Sequence, residues 1–396
     1  MNDALTKKNV AILGVCQALF NSSMSILIAL GALVGFSLVD DKAFATLPVT
    51  SVVTGTALAT IPASLLMRRI GRRNGFLVGA LIGFAGSLVA CLGIVAQQFW
   101  TFTAGTMLVG MFAAFGNYYR FAAADTASEK FRGKAISLVL AGGVVAGFAG
   151  PEIAKWTKDL LLPFTFLGCY VAVAGLMVAT ALLLLFLQTP PMAAEQAGQA
   201  ARPLPTIMLK PTFIVAAMSG MIGYGVMSLI MTATPLAMIA HGHPFDSAAT
   251  VIQWHVVAMF GPSFVTGPLV SRFGALRIIV AGACLNLICV GAAVGGMDVA
   301  NFWFALVLLG VGWNFMFIGA TTMVTEVHST SERAKTQAAN DFLIFGAVAT
   351  ASLMSGQVLH NFGWNAVAYV AVPFLLLSIA GAVWLALHRR PVGHTA

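Results

Sequence analysis

Charged residues are scarce in this chain. They make up 9% of its 396 residues, and 59% of the residues are hydrophobic, whereas about a quarter of the residues in an ordinary soluble domain are charged. A soluble fold could not keep so much apolar surface away from water, so a soluble enzyme is excluded. The sequence also contains no GxxxxGK[ST] motif, which excludes a phosphate-binding loop that would use ATP as the energy source.

Cysteines are few and dispersed, and no two of them form a CxxC pair. This spacing argues against a disulfide framework and against a zinc site, and nothing in the sequence indicates a catalytic cofactor. The five cysteines all lie within apolar runs: Cys16, Cys91, Cys169, Cys284 and Cys289. No small-residue cleavage site follows the first apolar run, so this run is predicted to be retained as a membrane span.

Apolar runs of about 20 residues recur from end to end, and each can cross a hydrocarbon core of roughly 30 Å. None shows the strict apolar and polar alternation of a membrane barrel strand. We therefore predict twelve helical spans, at about 10–36, 43–67, 75–97, 99–125, 133–155, 163–187, 211–240, 247–271, 276–296, 300–325, 334–360 and 364–387. The Pro-, Ala- and Gln-rich stretch 188–210 is predicted to be a linker between two halves, residues 1–187 and 211–396.

The basic residues are distributed unevenly between the two ends of the predicted spans. Only Lys42, Lys155 and Lys158 fall on the side opposite the N-terminus, and Arg120 lies within a span, so seventeen of the 21 Lys and Arg residues lie on the N-terminal side. Cytoplasmic loops are enriched in these residues. Both termini and the linker are therefore predicted to be cytoplasmic, with the chain in a bacterial inner membrane as a monomer. The net charge of +8 reflects this topology within a lipid bilayer and no nucleic-acid partner.

The two halves repeat each other at an offset of about 200 residues, as in transporters built from parallel repeats. The segment GPLVSRFGALR at 267–277 is similar to SLLMRRIGRRN at 64–74, and SERAK at 331–335 is similar to EKFRGK at 129–134. A duplicated helical half is thus indicated by the loops as well as by the number of spans.

The loop after the second span resembles the signature of the major facilitator superfamily, in which an Asp-Arg pair precedes Gly-Arg-Arg. Arg69, Gly71, Arg72 and Arg73 match that signature, while Ser64 stands where the family has Gly and Arg68 where it has Asp. The resemblance implies an all-α integral membrane protein, with twelve transmembrane helices in two six-helix halves related by a pseudo-two-fold axis. It also implies that Arg69, Gly71 and Arg72 belong to a cytoplasmic gate. The missing gate carboxylate is expected to be Asp125 or Glu129.

Two sulfur-containing motifs follow the linker in consecutive spans. Met227 and Met231 form MxxxM, and His255 and Met259 form HxxxM. Residues four apart lie on one face of a helix, and thioethers and imidazole are ligands that suit copper. The motifs resemble those of the CcoA-type bacterial copper importers. That resemblance implies that the chain carries copper into the cytoplasm as its substrate, that this copper supplies cytochrome oxidase assembly, and that copper chaperones are partners.

Other functions fit the same sequence. The chain could import a small organic molecule such as riboflavin, for which Trp254, Phe260 and Trp313 offer stacking surfaces, or it could be a proton-driven exporter. A membrane metal sensor or assembly factor is a third class, although the sequence has no soluble sensor domain. Methionines at helical spacing are also typical of packing, and Met107 and Met111 form such a pair without a histidine.

Several other polar residues lie within the predicted spans, where ionisable groups are costly and therefore indicate function. Asn21 and Asn314 are candidates for the lining of a central cavity. Arg120 and Asp341 lie near cytoplasmic span ends and are expected to form ion pairs at a gate or a helix terminus. Glu152 is a candidate proton carrier or a residue at the water interface.

The charge distribution generates a prediction about topology. A reporter that is active only in the periplasm, fused after Ala396, should be silent, because the basic residues place the C-terminus in the cytoplasm. The measurement is reporter activity in intact cells, with fusions after Asp40 and Asp159 as positive controls. Reporter activity at the C-terminal fusion would contradict the predicted orientation.

Overall fold

The computed structural model describes residues 3–188, 202–329 and 332–388, and these residues form an α-helical bundle without strands. The helices are α1 (Asp3–Leu38), α2 (Leu47–Ile70), α3 (Arg72–Val95), α4 (Phe99–Gly116), α5 (Tyr119–Thr126), α6 (Glu129–Thr157), α7 (Leu167–Leu184), α8 (Leu204–Met208), α9 (Pro211–Ala240), α10 (Phe245–Phe260), α11 (Ser263–Phe273), α12 (Ala275–Val294), α13 (Val299–Thr325) and α14 (Arg333–His388). A short 3-10 helix, Lys42–Phe44, precedes α2.

Within these described ranges, nine helical segments are long and apolar enough to cross a membrane, and the bent pair α10 and α11 makes a tenth. The long element α14 covers the last two predicted spans. It consists of two helices that meet at a kink at Gly363, where the backbone is not helical. The helix α6 covers the fifth predicted span. Each of the twelve predicted spans therefore lies on a helix, and the predicted all-α class is confirmed.

Prolines mark both the starts and the interiors of these helices. Pro48 and Pro211 stand in the first turns of α2 and α9, where a missing N–H costs nothing. Pro62 and Pro151 lie inside α2 and α6. Interior prolines are tolerated in membrane helices because neighbouring helices and side chains satisfy the freed carbonyl groups.

The helices pack mainly within their own half of the chain. In the first half α3 packs on α4 and α1 on α6, while in the second half α9 packs on α14 and α12 on α13. The halves meet where α6 contacts α10, α2 contacts α14 and α1 contacts α9. We call the end of the bundle that carries Gly71 and Arg202 the linker face, and the opposite end, with Asp41 and Asp246, the distal face.

The internal repeat is visible in the backbone at two glycines. Gly71 ends α2 with φ +86° and ψ 159°, and Gly274 ends α11 with φ +85° and ψ 149°. Each N–H donates to the carbonyl four residues earlier, Met67 for Gly71 and Val270 for Gly274, at 3.0 and 2.9 Å. Residues other than glycine rarely adopt this conformation, so both repeats need glycine at the same turn.

The predicted gate residues lie beside this turn on the linker face. Arg72 is buried at the start of α3 and forms an ion pair with Asp125 at the end of α5. Asp125 is therefore a carboxylate that the altered signature uses. Arg69 is exposed at the end of α2. The side chain of Glu129, the other predicted partner, lies outside the described part of the chain.

Most of the predicted linker, residues 189–201, also lies outside the described residues. Its end is fixed to the second half by Arg202, which donates to both carboxylate oxygens of Glu332 at 2.7 and 2.6 Å. This guanidinium holds the pKa of Glu332 well below its usual range. The pair ties the linker to the start of α14.

The shared glycine turn generates a prediction about stability. Gly274→Ala should destabilise the protein by about 1–3 kcal/mol, because alanine is strained at this backbone conformation, even though no atom lies within 4 Å of the added methyl group. The measurement is the apparent unfolding midpoint in detergent.

Gly267→Ala is the matched control, because this glycine of α11 also has open space around it but an ordinary backbone conformation. It should leave the midpoint unchanged or raise it slightly, since alanine favours helix. Equal midpoints for the two variants would show that the turn is not strained.

Candidate functional site

Contacts between the halves concentrate near the distal face. Lys158 at the end of α6 forms an ion pair with Asp246 at the start of α10, with Nζ and Oδ1 2.7 Å apart. The Thr50 hydroxyl of α2 donates to the Ser352 hydroxyl of α14 at 3.1 Å. From this end α6 and α10 run antiparallel toward the middle of the bundle, where Gly143 faces Phe260.

The contact between α6 and the eighth span does not continue to the linker face, because that span is broken. Gly261 and Pro262 separate α10 from α11, and the two helices are bent by 40°. Beyond the bend, α11 packs on α12 and α13 of its own half. Toward the linker face, α11 thus turns away from the first half, and this leaves a space between the halves.

Asn314 of α13 supports the break. Its Nδ2 donates to the Met259 carbonyl and to the Ser263 hydroxyl, each at 2.7 Å, and its Oδ1 accepts from the Thr266 hydroxyl at 2.6 Å. The break at Gly261 and Pro262 interrupts the backbone bonds between residues four apart, so carbonyls in the last turn of α10 need other donors. Asn314 is 1% exposed, and the prediction that it lines the cavity is wrong because these bonds occupy its amide.

Five aromatic rings of the second half form a continuous cluster in the middle of the bundle, which we call the aromatic wall: Tyr224, Phe260, Trp313, Phe317 and Phe345. Trp313 and Phe317 lie one turn apart on α13 and stack in parallel, with centroids 5.0 Å apart and planes at 9°. Tyr224 meets both edge-on at 5.2 and 5.5 Å. Phe260 and Phe345 extend the wall at either end.

Trp313 is a wall residue with a buried polar group that has no partner. It is 6% exposed, and its indole Nε1 is buried without a hydrogen-bond partner among the described residues. A buried indole N–H usually has a partner, so this donor is unsatisfied in this conformation. Of the predicted stacking residues, Phe260 and Trp313 join the wall. Trp254 is 40% exposed and contacts Phe148 and Trp303 instead.

A charged pair lies on the linker side of the wall. Arg120 of the first half interacts electrostatically with Asp341 and Tyr224 of the second half. The Nε of Arg120 is buried without a hydrogen-bond partner in the described part of the chain, whereas Asp341 is exposed. The described residues contain no direct ion pair between Arg120 and Asp341, so the expected ion pair stays a prediction.

The first half contributes amides opposite Phe260. Gln17 and Asn21 lie one turn apart on α1, and Gln17 Nε2 donates to Asn21 Oδ1 at 3.2 Å. A Cβ added to Gly143 would lie 3.1 Å from Asn21 Nδ2 and 3.3 Å from Cγ of Phe260. Asn21 therefore lies beside the aromatic wall, across the interface between the halves.

The four predicted copper ligands are all buried. Met227, Met231, His255 and Met259 are 2%, 5%, 0% and 7% exposed. The helices that carry them, α9 and α10, both pack on α13. His255 Nδ1 donates to the Leu306 carbonyl at 2.7 Å, while Nε2 is buried without a partner among the described residues. One imidazole nitrogen is thus held in place and the other carries a free lone pair, as in metal-binding histidines.

Two further features lie away from this space. Glu152 pairs with Lys155 on the same helix, with the charged atoms 2.8 Å apart. A groove of about 480 Å³ between α9 and α14 is lined only by apolar side chains, including Phe213, Phe374 and Leu377. A groove without polar groups offers a substrate no specific contact, so it is not the candidate site.

Sequence reasoning missed several residues of the site. Phe317 lies one helical turn from Trp313, and Gln17 lies one turn from Asn21, so spacing from these two predicted residues could have identified the missed ones. No sequence signal brings Tyr224 next to these rings, because this contact joins different helices.

The comparisons with known proteins agree with the helical fold, and the proteins that they find are membrane transporters. The sequence model of the Major Facilitator Superfamily matches residues 10–342 and 257–396. The riboflavin transporter RfnT of Brucella anthropi is 44% identical over 402 residues, covering 100% of both chains. The uncharacterized MFS-type transporter YdeG of Bacillus subtilis is 28% identical over 397 residues, covering 96% of this chain and 92% of its own.

Solved structures show the same architecture at low sequence identity. The xylose transporter XylE of E. coli superposes with a TM-score of 0.72 at 12% identity, covering 100% of both chains. A bacterial homolog of the human lysosomal transporter Spinster gives a TM-score of 0.71 at 15% identity, with 98% of each chain covered. These relatives are transporters, and the relative with 44% identity is not described as a copper importer.

Proposed function

The chain belongs to the major facilitator superfamily, and on that premise we propose that it imports a neutral, planar organic molecule of the riboflavin class. The relative with 44% identity is a riboflavin transporter, which supports the organic alternative over the copper reading. The observation that carries the proposal is the aromatic wall with its unpartnered Trp313 N–H. A flat ring system can stack on such a wall and accept that hydrogen bond.

The charges near the wall favour a neutral substrate. Arg120 and Asp341 carry opposite charges and lie close enough to influence each other electrostatically, so together they contribute little net charge. An anionic substrate would need an excess of positive charge in a medium of low dielectric constant. A molecule with polar edges and no net charge fits this pair without displacing either partner.

The arrangement of the halves supports alternating access. The halves are joined near the distal face by Lys158 and Asp246, and the bend between α10 and α11 separates them toward the linker face. We take this as the state that releases substrate on the cytoplasmic side. Because an ion pair exposed to water contributes at most about 1 kcal/mol, the distal contact can open without a large cost.

Uptake of riboflavin tests the proposal directly. Cells that lack their own flavin uptake should accumulate labelled riboflavin only when they express this chain. Trp313→Leu should lower that uptake on the order of tenfold or more, because aromatic stacking of a flat ring contributes roughly 1–3 kcal/mol. The measurement is the initial uptake rate, normalised to the amount of protein in the membrane.

Trp384→Leu is the matched control for this experiment. Trp384 is 46% exposed on α14, outside the aromatic wall, so its replacement should leave uptake within about twofold. Absence of riboflavin uptake by the wild-type chain, or equal losses in both tryptophan variants, would contradict the proposal.

Copper import remains the second candidate, because His255 keeps a buried nitrogen lone pair without a partner. This imidazole, with the thioethers of Met227 and Met231, has the chemistry that Cu(I) prefers. The same buried positions are also typical of methionine packing. A substitution that removes the sulfur atom and keeps the apolar bulk distinguishes copper binding from packing.

Met231→Leu is expected to lower copper uptake strongly if the thioether binds copper, since water cannot replace a ligand in a dry site. The measurement is uptake of radioactive copper by cells with and without the chain. Met107→Leu and Met111→Leu are controls, because that pair has no histidine partner in the sequence motif. Normal copper uptake by Met231→Leu would show that the methionine only packs.

A further inference from the structure

The amide pair on α1 has a defined hydrogen-bonding pattern. Because Gln17 Nε2 donates to Asn21 Oδ1, the Gln17 carbonyl remains as an acceptor and the Asn21 amino group remains as a donor. Neither of these groups forms a hydrogen bond within the described residues, and neither is a fully buried orphan. The pair therefore keeps one free acceptor, on Gln17, and one free donor, on Asn21, on successive turns of α1, and the donor lies at the interface between the halves.

The Asn21 donor lies where a ring stacked on the aromatic wall would place its edge. Asn21 Nδ2 and the Phe260 ring approach the same point beside Gly143, and Phe260 is in edge contact with Trp313, with centroids 6.2 Å apart. Gly143 has no side chain, so nothing separates the amide from the wall. Polar groups inside a membrane bundle are costly when they lack partners, which favours a substrate that uses them.

Riboflavin carries a complementary edge. Its pyrimidine ring contains an imide, an N–H between two carbonyl groups, so a donor and an acceptor lie next to each other. We infer that Gln17 and Asn21 bind the imide edge of the ring system, with the Gln17 carbonyl accepting the imide N–H and the Asn21 amino group donating to the adjacent carbonyl. This inference rests on the proposed function and specifies how its site selects a substrate.

The test compares riboflavin with 3-methylriboflavin, in which a methyl group replaces the imide proton. Wild-type cells should take up riboflavin about tenfold faster than the methylated compound, because a site built for a donor rejects an analogue that lacks it. In Asn21→Leu, which keeps the size and removes the donor to the ring carbonyl, riboflavin uptake should fall about tenfold. In Gln17→Leu, which removes the acceptor of the imide N–H, uptake should fall likewise and the preference should shrink toward unity. Asn21→Asp, which replaces the donor by an acceptor, should show the same loss as Asn21→Leu.

Ser23→Ala is the control, because the Ser23 hydroxyl donates to the Leu19 carbonyl of its own helix at 3.0 Å. Its uptake and its preference should match those of the wild type. Riboflavin uptake by the wild type without any preference over 3-methylriboflavin would overturn the inference and leave the proposed function intact. This result needs no variant, so poor membrane insertion of the Asn21 variants cannot obscure it. No riboflavin uptake by the wild type would overturn the proposed function and the inference together.

Discussion

The bilayer provides no water to bind a free backbone carbonyl, and this constraint shapes the site as well as the spans. A span can be broken only where other groups take over its hydrogen bonds. In this chain the eighth span breaks at Gly261 and Pro262, and Asn314 supplies donors to Met259 and Ser263. The break turns α11 toward its own half. The space in which the aromatic wall faces the first half depends on that turn.

The wall combines two interactions that suit a membrane interior. Stacked rings offer a large apolar surface without any buried charge, and the charges that are present, on Arg120 and Asp341, lie close enough to offset each other. A neutral planar substrate would use the rings for affinity and the few amides and N–H groups for orientation. This division of roles is typical of small-molecule sites, which are mostly apolar with a small number of placed polar groups.

The methionine motifs show why helical spacing alone is an ambiguous signal. Met227 and Met231 share a helix face whether they bind copper or pack against neighbours, and in this chain both are buried among apolar side chains. His255 differs from them, because a buried nitrogen without a partner is not explained by packing. The riboflavin transporter with 44% identity favours an organic substrate. The unpartnered His255 nitrogen is the observation that supports copper as the second candidate.

The sequence by itself determined the class of the protein. Apolar runs, the uneven placement of Lys and Arg, and the repeated loops at Gly71 and Gly274 predict a duplicated helical membrane transporter, because each of these signals is local in the chain. Asp125 or Glu129 could be proposed as the gate carboxylate because the signature lacked its own, and the structure shows Asp125 paired with Arg72. The site was decided by the tertiary structure. Tyr224, Trp313 and Phe345 come from three helices far apart in sequence, and Asn21 reaches Phe260 only across the interface between the halves. Periodicity gives the face of the helix on which a residue lies. It does not give the neighbouring helix that this face contacts, because the spans have similar apolar compositions and their packing is decided only in the folded structure.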